Sequence, residues 1–230
     1  MAAKKDPAAK RRPTERDGDI SWQAQKSAMT RDRILDAAIN CFIELGYTNV
    51  TTAKVAQSAG VSRGAMLHHF PSKTELIQAA VEYLHDKLLE DYTRRIGEIP
   101  ASLTGAARRR AGIRAHWDYL NGDLFTVYNE LSFASRTDPE LRAILESSQQ
   151  VFEQHVLECN GTLFTEWLAT GDRFLLAMDV SRFMMEGMAS SRLMTDREAR
   201  VERLIDYLCD RLEEIFKEGG STAIGRHSST

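Results

Sequence analysis

The twenty residues Thr51–Phe70, TTAKVAQSAGVSRGAMLHHF, place the tightest constraint on what this chain can fold into. Two short helical stretches meet at Ala59-Gly60-Val61, which leaves room only for a sharp turn between two helices in contact. Gly60 stands where the backbone must take a positive φ, a region that glycine alone enters cheaply. Thr51 or Thr52 is placed to cap the first short helix, and Ser62 the second, over about 62–69. Val55, Ala56 and Ala59 give the first a small apolar face that lets a neighbour approach closely. Met66 and Phe70, four apart, pin the second to a core. Arg63, Ala65, Leu67, His68 and His69 are left to face outward or sideways. This is the helix-turn-helix arrangement, which lays its second helix in the major groove of DNA. The same pair of helices also occurs in all-α proteins with no nucleic-acid role, so the spacing leaves both readings open.

The flanking sequence supplies the base on which such a pair rests. Ile34, Ala38, Cys41 and Leu45 recur at helical spacing, with Leu35 and Phe42 beside them, and Gly46 ends the run. Thr30 is placed to cap that helix, with Asp32 in its first turn. Downstream, Ser72-Lys73-Thr74-Glu75 matches a capping box. It opens a helix over about 73–96 whose face is Leu76, Ala80, Leu84 and Leu88. Some 24 residues at 1.5 Å each span about 36 Å, enough to join one end of the molecule to the other. Five more helices are read over about 103–121, 123–136, 138–158, 172–194 and 196–217, the third with an alternative extension past Asn160-Gly161. There is no strand-like alternation and no repeat. The expectation is an all-α fold of about nine helices. Residues 1–25 form a disordered basic arm, 26–73 a helix-turn-helix head, 74–218 a larger helical domain and 219–230 a disordered tail.

Over about 30–77, through RILDAAINCFIELGY, TTAKVAQSAGVSRGAM and HHFPSKTELI, the chain resembles the tetracycline-repressor (TetR) family of bacterial transcription regulators. The remaining two thirds resembles it in being helical and of suitable length. The resemblance implies that Thr52 contacts phosphate, that Arg63 and Ala65 meet base edges, and that His69 and Lys73 touch the DNA backbone. Leu67 departs from the family, which usually has tyrosine there; leucine offers a thymine methyl or a sugar an apolar contact and donates no hydrogen bond. The candidate DNA-facing set is Thr51, Thr52, Lys54, Ser62, Arg63, Gly64, Ala65, Leu67, His68, His69 and Lys73. The resemblance further implies a homodimer joined through the last two helices, a pseudo-palindromic operator in double-stranded DNA, and a small-molecule effector that releases the repressor from it. Trp117, Phe125, Tyr128, Phe152, His155, Met178 and Met185 are the candidate effector-binding residues. Aromatic stripes at this spacing equally build an ordinary core. Two broad apolar faces, Phe174/Met178/Ser181/Met185/Met188/Leu193 and Val201/Leu204/Ile205/Leu208/Leu212/Ile215/Phe216, read either as a four-helix dimer seam or as the closure of the protomer core.

Charge is divided along the chain. Net charge is −3 overall, but residues 1–73 hold 12 Lys and Arg against 7 Asp and Glu, +5, and the remainder is −8. The basic part coincides with the helix-turn-helix, which favours approach of that end to phosphate. Lys10-Arg11-Arg12 and Arg16 read as a DNA-touching arm or as a solubilising tail. Arg108-Arg109-Arg110 reads as a solvated face. No apolar run approaches the length of a membrane span, and the N-terminus lacks the apolar segment of a secretory signal, so a cytoplasmic protein without membrane partners is expected. Cys41, Cys159 and Cys209 are too widely spaced for a zinc site or a disulfide framework. The lone Glu82-x-x-His85 lacks the partners of a di-iron bundle, and no catalytic, cofactor or metal motif is present. The rival readings are an all-helical enzyme and a helical interaction protein that binds no DNA.

Overall fold

The computed structural model describes residues 15–163, 165 and 171–224. In chain order its helices are α1 (Glu15–Leu45), α2 (Thr52–Ser58), α3 (Arg63–His69), α4 (Lys73–Gly97), α5 (Gly105–Leu120), α6 (Asp123–Ala134), α7 (Pro139–Leu163), α8 (Asp172–Ser190) and α9 (Arg197–Ile224), with a single 3-10 turn at Tyr47–Asn49. Among the described residues there is no strand, and no helix is long and apolar enough to cross a membrane.

The head forms because the apolar stripe of α1 is wide enough to take three helices at once. Ile34, Leu35, Ala38 and Phe42 are buried against Val55 of α2, Met66 and Phe70 around α3, and Leu76 and Ile77 at the start of α4. The short helices α2 and α3 are held at their ends as well as by packing. Thr51 Oγ1 accepts from the Lys54 amide at 3.3 Å, and Ser62 Oγ from the Ala65 amide at 3.1 Å. Between them Gly60 has φ 62°, and the Val61 amide donates back to the Ala56 carbonyl at 3.0 Å, closing the turn. Ser72 accepts from the Glu75 amide at 3.1 Å and donates its hydroxyl to the Glu75 carboxylate at 3.0 Å, so the capping box starts α4 as the spacing required.

α4 continues from the head into the body, burying Leu84, Leu88 and Ile96. It packs against α1, α5, α6 and α7, while α5 and α9 both pack on α8. The body and head share one continuous hydrophobic core. Arg109 makes two hydrogen bonds to Glu213, the longer at 2.8 Å, and Arg110 binds Asp206 at 2.9 Å. The expected solvated arginine face is thus in part a set of ion pairs joining α5 to α9.

Two boundaries differ from the sequence reading, and at a third, the end of α7, the longer of the two alternatives holds. The expected arm over 1–25 is helical from Glu15, and Thr30 is no cap: its hydroxyl donates to the Lys26 carbonyl within α1 at 2.9 Å. The apolar periodicity begins at Ile34, yet the helix runs upstream of it with residues 22–29 all exposed. The price of that exposure is visible in Trp22 and Met29, 60% and 73% accessible. Lys10, Arg11 and Arg12 lie outside the described residues. The expected disordered tail is helical to Ile224, with 225–230 outside. α7 runs past Asn160 to Leu163, because Asn160 bonds locally to the Val156 carbonyl at 3.0 Å and accepts from the Tyr92 hydroxyl at 2.5 Å. Trp167 lies outside the described residues.

Candidate functional site

Helix α3 sits on the head with its first turn open to solvent. Arg63 and Gly64 are exposed beside the exposed cap Ser62, as are Leu67 and His68; Ala65 and His69 are half-buried. Thr51 is exposed and Thr52 half-buried at the start of α2. Met66 alone among the α3 residues is buried, which fixes the face the helix turns inward. Lys54 is exposed, yet its Nζ donates to the Asn49 carbonyl at 2.9 Å, tying α2 to the 3-10 turn. His68 and His69 meet edge to face at 5.5 Å rather than side by side, so they do not form a chelating pair. Desolvation, then the neighbouring His68 and Arg31, hold His69 below the ordinary imidazole pKa.

The head is clamped to the body through Tyr47. Its amide donates to Glu130 of α6 at 2.8 Å, and its hydroxyl donates to Asp138, just before α7, at 3.0 Å. Burial and the Asp138 carboxylate push the Tyr47 phenol up to about 12. Lys73 lies 5.8 Å over the same ring, and Thr74 donates to Glu140 of α7 at 2.5 Å. Gly46 has φ 73°, and Glu130 stands where its side chain would be. None of these contacts was readable from the sequence, since they join positions 26 to 91 residues apart.

In the body, α4 to α9 surround a cavity of about 400 Å³. Phe125, Tyr128, Phe152, Met178 and Met185 line it, as the sequence reading had placed them. Trp117 and His155 do not. Trp117 packs half-buried under the Arg197 guanidinium, 5.5 Å above its ring, and His155 points to solvent. Helical position sets both outcomes, because α5 and α7 each turn only one stripe inward. Tyr119, which the sequence places among the aromatic residues of the enclosing helices, also lines the cavity; the residues missed are Tyr92, His116 and Asn160, on inward stripes that nothing local marks as a cavity wall. Among the described residues no cluster of His, Cys, Asp and Glu could hold a metal ion. His85 stacks on Phe152 at 4.5 Å, away from any carboxylate partner, and burial lowers its pKa to about 4. Cys41 is buried and its thiol is pushed up by desolvation, in keeping with a packed thiol.

Residues 34–80 match the family model of bacterial regulatory proteins, tetR family. The head of this chain is therefore of the TetR family. It is 32% identical over 125 residues to an uncharacterized HTH-type transcriptional regulator of Mycobacterium tuberculosis, covering 54% of this chain and 63% of that protein. It is 31% identical over 140 residues to the HTH-type transcriptional regulator CymR of Pseudomonas putida, covering 58% of this chain and 63% of CymR. The matches thus span just under two thirds of these relatives' length. A TetR-family regulator structure from Mesorhizobium loti superimposes with a TM-score of 0.65 at 18% identity, over 82% of this chain and 97% of that one, which shows a shared fold.

The two C-terminal helices turn two different faces to two different surroundings. Phe174, Met185 and Met188 of α8 and Val201, Ile205, Leu208 and Leu212 of α9 are buried inside the protomer. Most of the broad stripes read from the sequence therefore closes the core, while Leu193 and Leu204 of those stripes stay exposed. A second set is left outside: Leu176 and Phe183 on α8, 50% and 70% accessible, and Leu204 and Tyr207 on α9, 41% and 57%.

Proposed function

We propose that this TetR-family chain is a homodimeric, DNA-binding transcriptional repressor that a small molecule releases from its operator. The observation that carries the reading is the exposure of α3. Its first turn presents Arg63, Gly64 and the Ser62 cap to solvent while Met66 anchors it from below. Arg63 is the residue for a base edge, with Ala65 and Leu67 offering methyl contacts. Thr51, Thr52, Lys54, His68, His69 and Lys73, on the ends of α2 and α3 and at the start of α4, are the residues assigned to phosphate. The +5 charge of residues 1–73 agrees with this, and the acidic remainder restrains non-specific binding.

The dimer assignment is supported by the outward set on α8 and α9. Leu176 and Phe183 are seven apart on one helix, and Leu204 and Tyr207 three apart on the other, so each pair shares a helix stripe. Apolar groups of this size in water on adjacent helices favour a symmetric four-helix contact. The cavity supports the effector assignment, since its size suits a small organic ligand. EbrR, a multidrug binding protein of the same fold, has been solved with ethidium; it superimposes with a TM-score of 0.55 at 20% identity over 81% of this chain and 98% of that one. α4 and α6 each touch both the cavity and the head, and so provide two rigid routes between them.

Fluorescence anisotropy on a promoter duplex tests the DNA assignment. Arg63→Ala is expected to cost about 1–3 kcal/mol and to relax preference at one base position. Lys73→Ala is expected to weaken all sequences alike and flatten the salt dependence. Unchanged affinity in both variants would favour a helix-turn-helix that packs on a protein partner.

A further inference from the structure

The cavity walls show which chemistry a ligand must have. Rings run without interruption along one side: Tyr92 to Tyr119 at 5.4 Å, Tyr119 to Phe125 at 5.6 Å, Phe125 to Tyr128 at 5.7 Å, and Tyr128 to Phe152 at 6.0 Å. A row of rings, one pair edge to face and three tilted, favours a flat aromatic guest. The charges at the wall are already spent on one another. Arg109 is held by Glu213, Arg110 by Asp206, and Arg182 by both Glu186 and Glu153. Asp179 and Asp210 are exposed at the edge and do not reach inward as buried charges. Among the described residues an anionic guest would find no unpaired cation in the wall, and a cationic one no unpaired buried carboxylate. Either would shed its water without recompense.

Two polar side chains in the cavity remain unspent. The Tyr92 hydroxyl donates to Asn160 and the Tyr128 hydroxyl to Gln149 at 2.9 Å. His116 and Tyr119, ring centroids 6.0 Å apart, make no hydrogen bond among the described residues, and none of their polar atoms is sealed off from the cavity. His116 is kept neutral by burial, with Arg182 adding to the effect, so it offers one donating and one accepting nitrogen. The Tyr119 hydroxyl does both.

From this geometry we infer that the cavity binds an uncharged aromatic molecule carrying a hydroxyl group, which exchanges hydrogen bonds with His116 and Tyr119 while its rings lie along the Tyr92–Phe152 wall. The inference rests on the cavity being the effector site, but binding is read without DNA, so the two stand or fall separately.

The test uses four probes of one shape: 2-naphthol, naphthalene, 2-naphthoate and 2-naphthylmethylammonium. Each is titrated into the full-length protein near pH 7.5, with thermal shift and calorimetry as readouts. 2-Naphthol is expected to bind tightest, naphthalene more weakly, and the two ions least. Tyr119→Phe keeps the ring and removes the hydroxyl. It is expected to weaken 2-naphthol by roughly 3- to 10-fold, the worth of one neutral hydrogen bond, and to leave naphthalene unchanged. His116→Phe is expected to do the same. Tighter binding of either ion, equal binding of 2-naphthol and naphthalene to the unaltered protein, or no binding of 2-naphthol would overturn the inference. So would a Tyr119→Phe effect of equal size on both neutral probes. Binding of 2-naphthol that leaves operator affinity unchanged would count against the effector role alone.

Discussion

Two histidines held neutral inside the body make stability depend on pH in a window where few other groups titrate. His85 is 5% accessible, stacked on Phe152 with its Nε2 unpartnered, and His116 lines the cavity; burial takes both from 6.5 to about 4. The folded state therefore favours the neutral rings, and the unfolded chain takes up protons first as pH falls. The stabilisation is complete above about pH 6.5 and lost progressively down to about pH 4. A shift of about 2.5 units corresponds to about 3 kcal/mol per histidine when the loss is complete. At pH 5 about 2 kcal/mol per histidine is already gone, so the pair removes about 4 kcal/mol between pH 7.5 and 5. Carboxylates held low by arginines, Glu202 and Glu213, contribute only below their ordinary 4.5, outside the range from pH 7.5 to 5, and His69, also held below the ordinary imidazole value, adds a smaller loss of the same sign. The assay is urea denaturation at pH 7.5, 6 and 5 at one protein concentration. His85→Phe keeps an aromatic ring against Phe152 and is expected to halve the loss. It should also be neutral or slightly stabilising at pH 7.5, because an unpartnered buried nitrogen is removed. A His85→Phe variant with the full pH dependence of the unaltered protein would refute the reasoning.

Two further outcomes follow from the packing. Gly46→Ala places a side chain at φ 73° and 2.7 Å from Glu130, so it is expected to cost about 1–2 kcal/mol in thermal denaturation and to loosen the head from α6; a change below 0.5 kcal/mol would show that the clamp is slack. Phe183→Glu puts a charge on the outward face of α8, 70% accessible in the protomer, and is expected to shift sedimentation from dimer to monomer with little change in the far-ultraviolet helical signal. An unchanged dimer would place the interface elsewhere.

The head was legible because its determinants are local. Caps at Thr51, Ser62 and Ser72 act over three residues, Gly60 acts at one, and the stripes of α1 and α4 repeat every three or four. The body was legible as a succession of helices for the same reason. What escaped was non-local or had no pattern. The first half of α1 has no apolar stripe. The Tyr47 clamp joins residues up to 91 apart, and nothing in GYTN announces it. In the cavity, aromatic residues were chosen by type. Phe125, Tyr128 and Phe152 faced inward, whereas Trp117 and His155 sat on the wrong stripes and His116 was passed over. On α8 and α9 most of the two stripes read from the sequence closes the core, Leu193 and Leu204 of them stay outside, and the exposed Leu176, Phe183 and Tyr207 were not in that reading.

The central claim is that α3 enters the major groove, two copies to a site. Selection and sequencing of duplexes bound by the full-length protein from sheared genomic DNA of its source tests this most directly. The account predicts enrichment of an inverted repeat whose half-sites lie about 34–36 Å apart, or a multiple of one helical turn, with enrichment lost in Arg63→Ala. Recovery of no common sequence at low salt, or of a single motif without twofold symmetry that Arg63→Ala leaves intact, would contradict it.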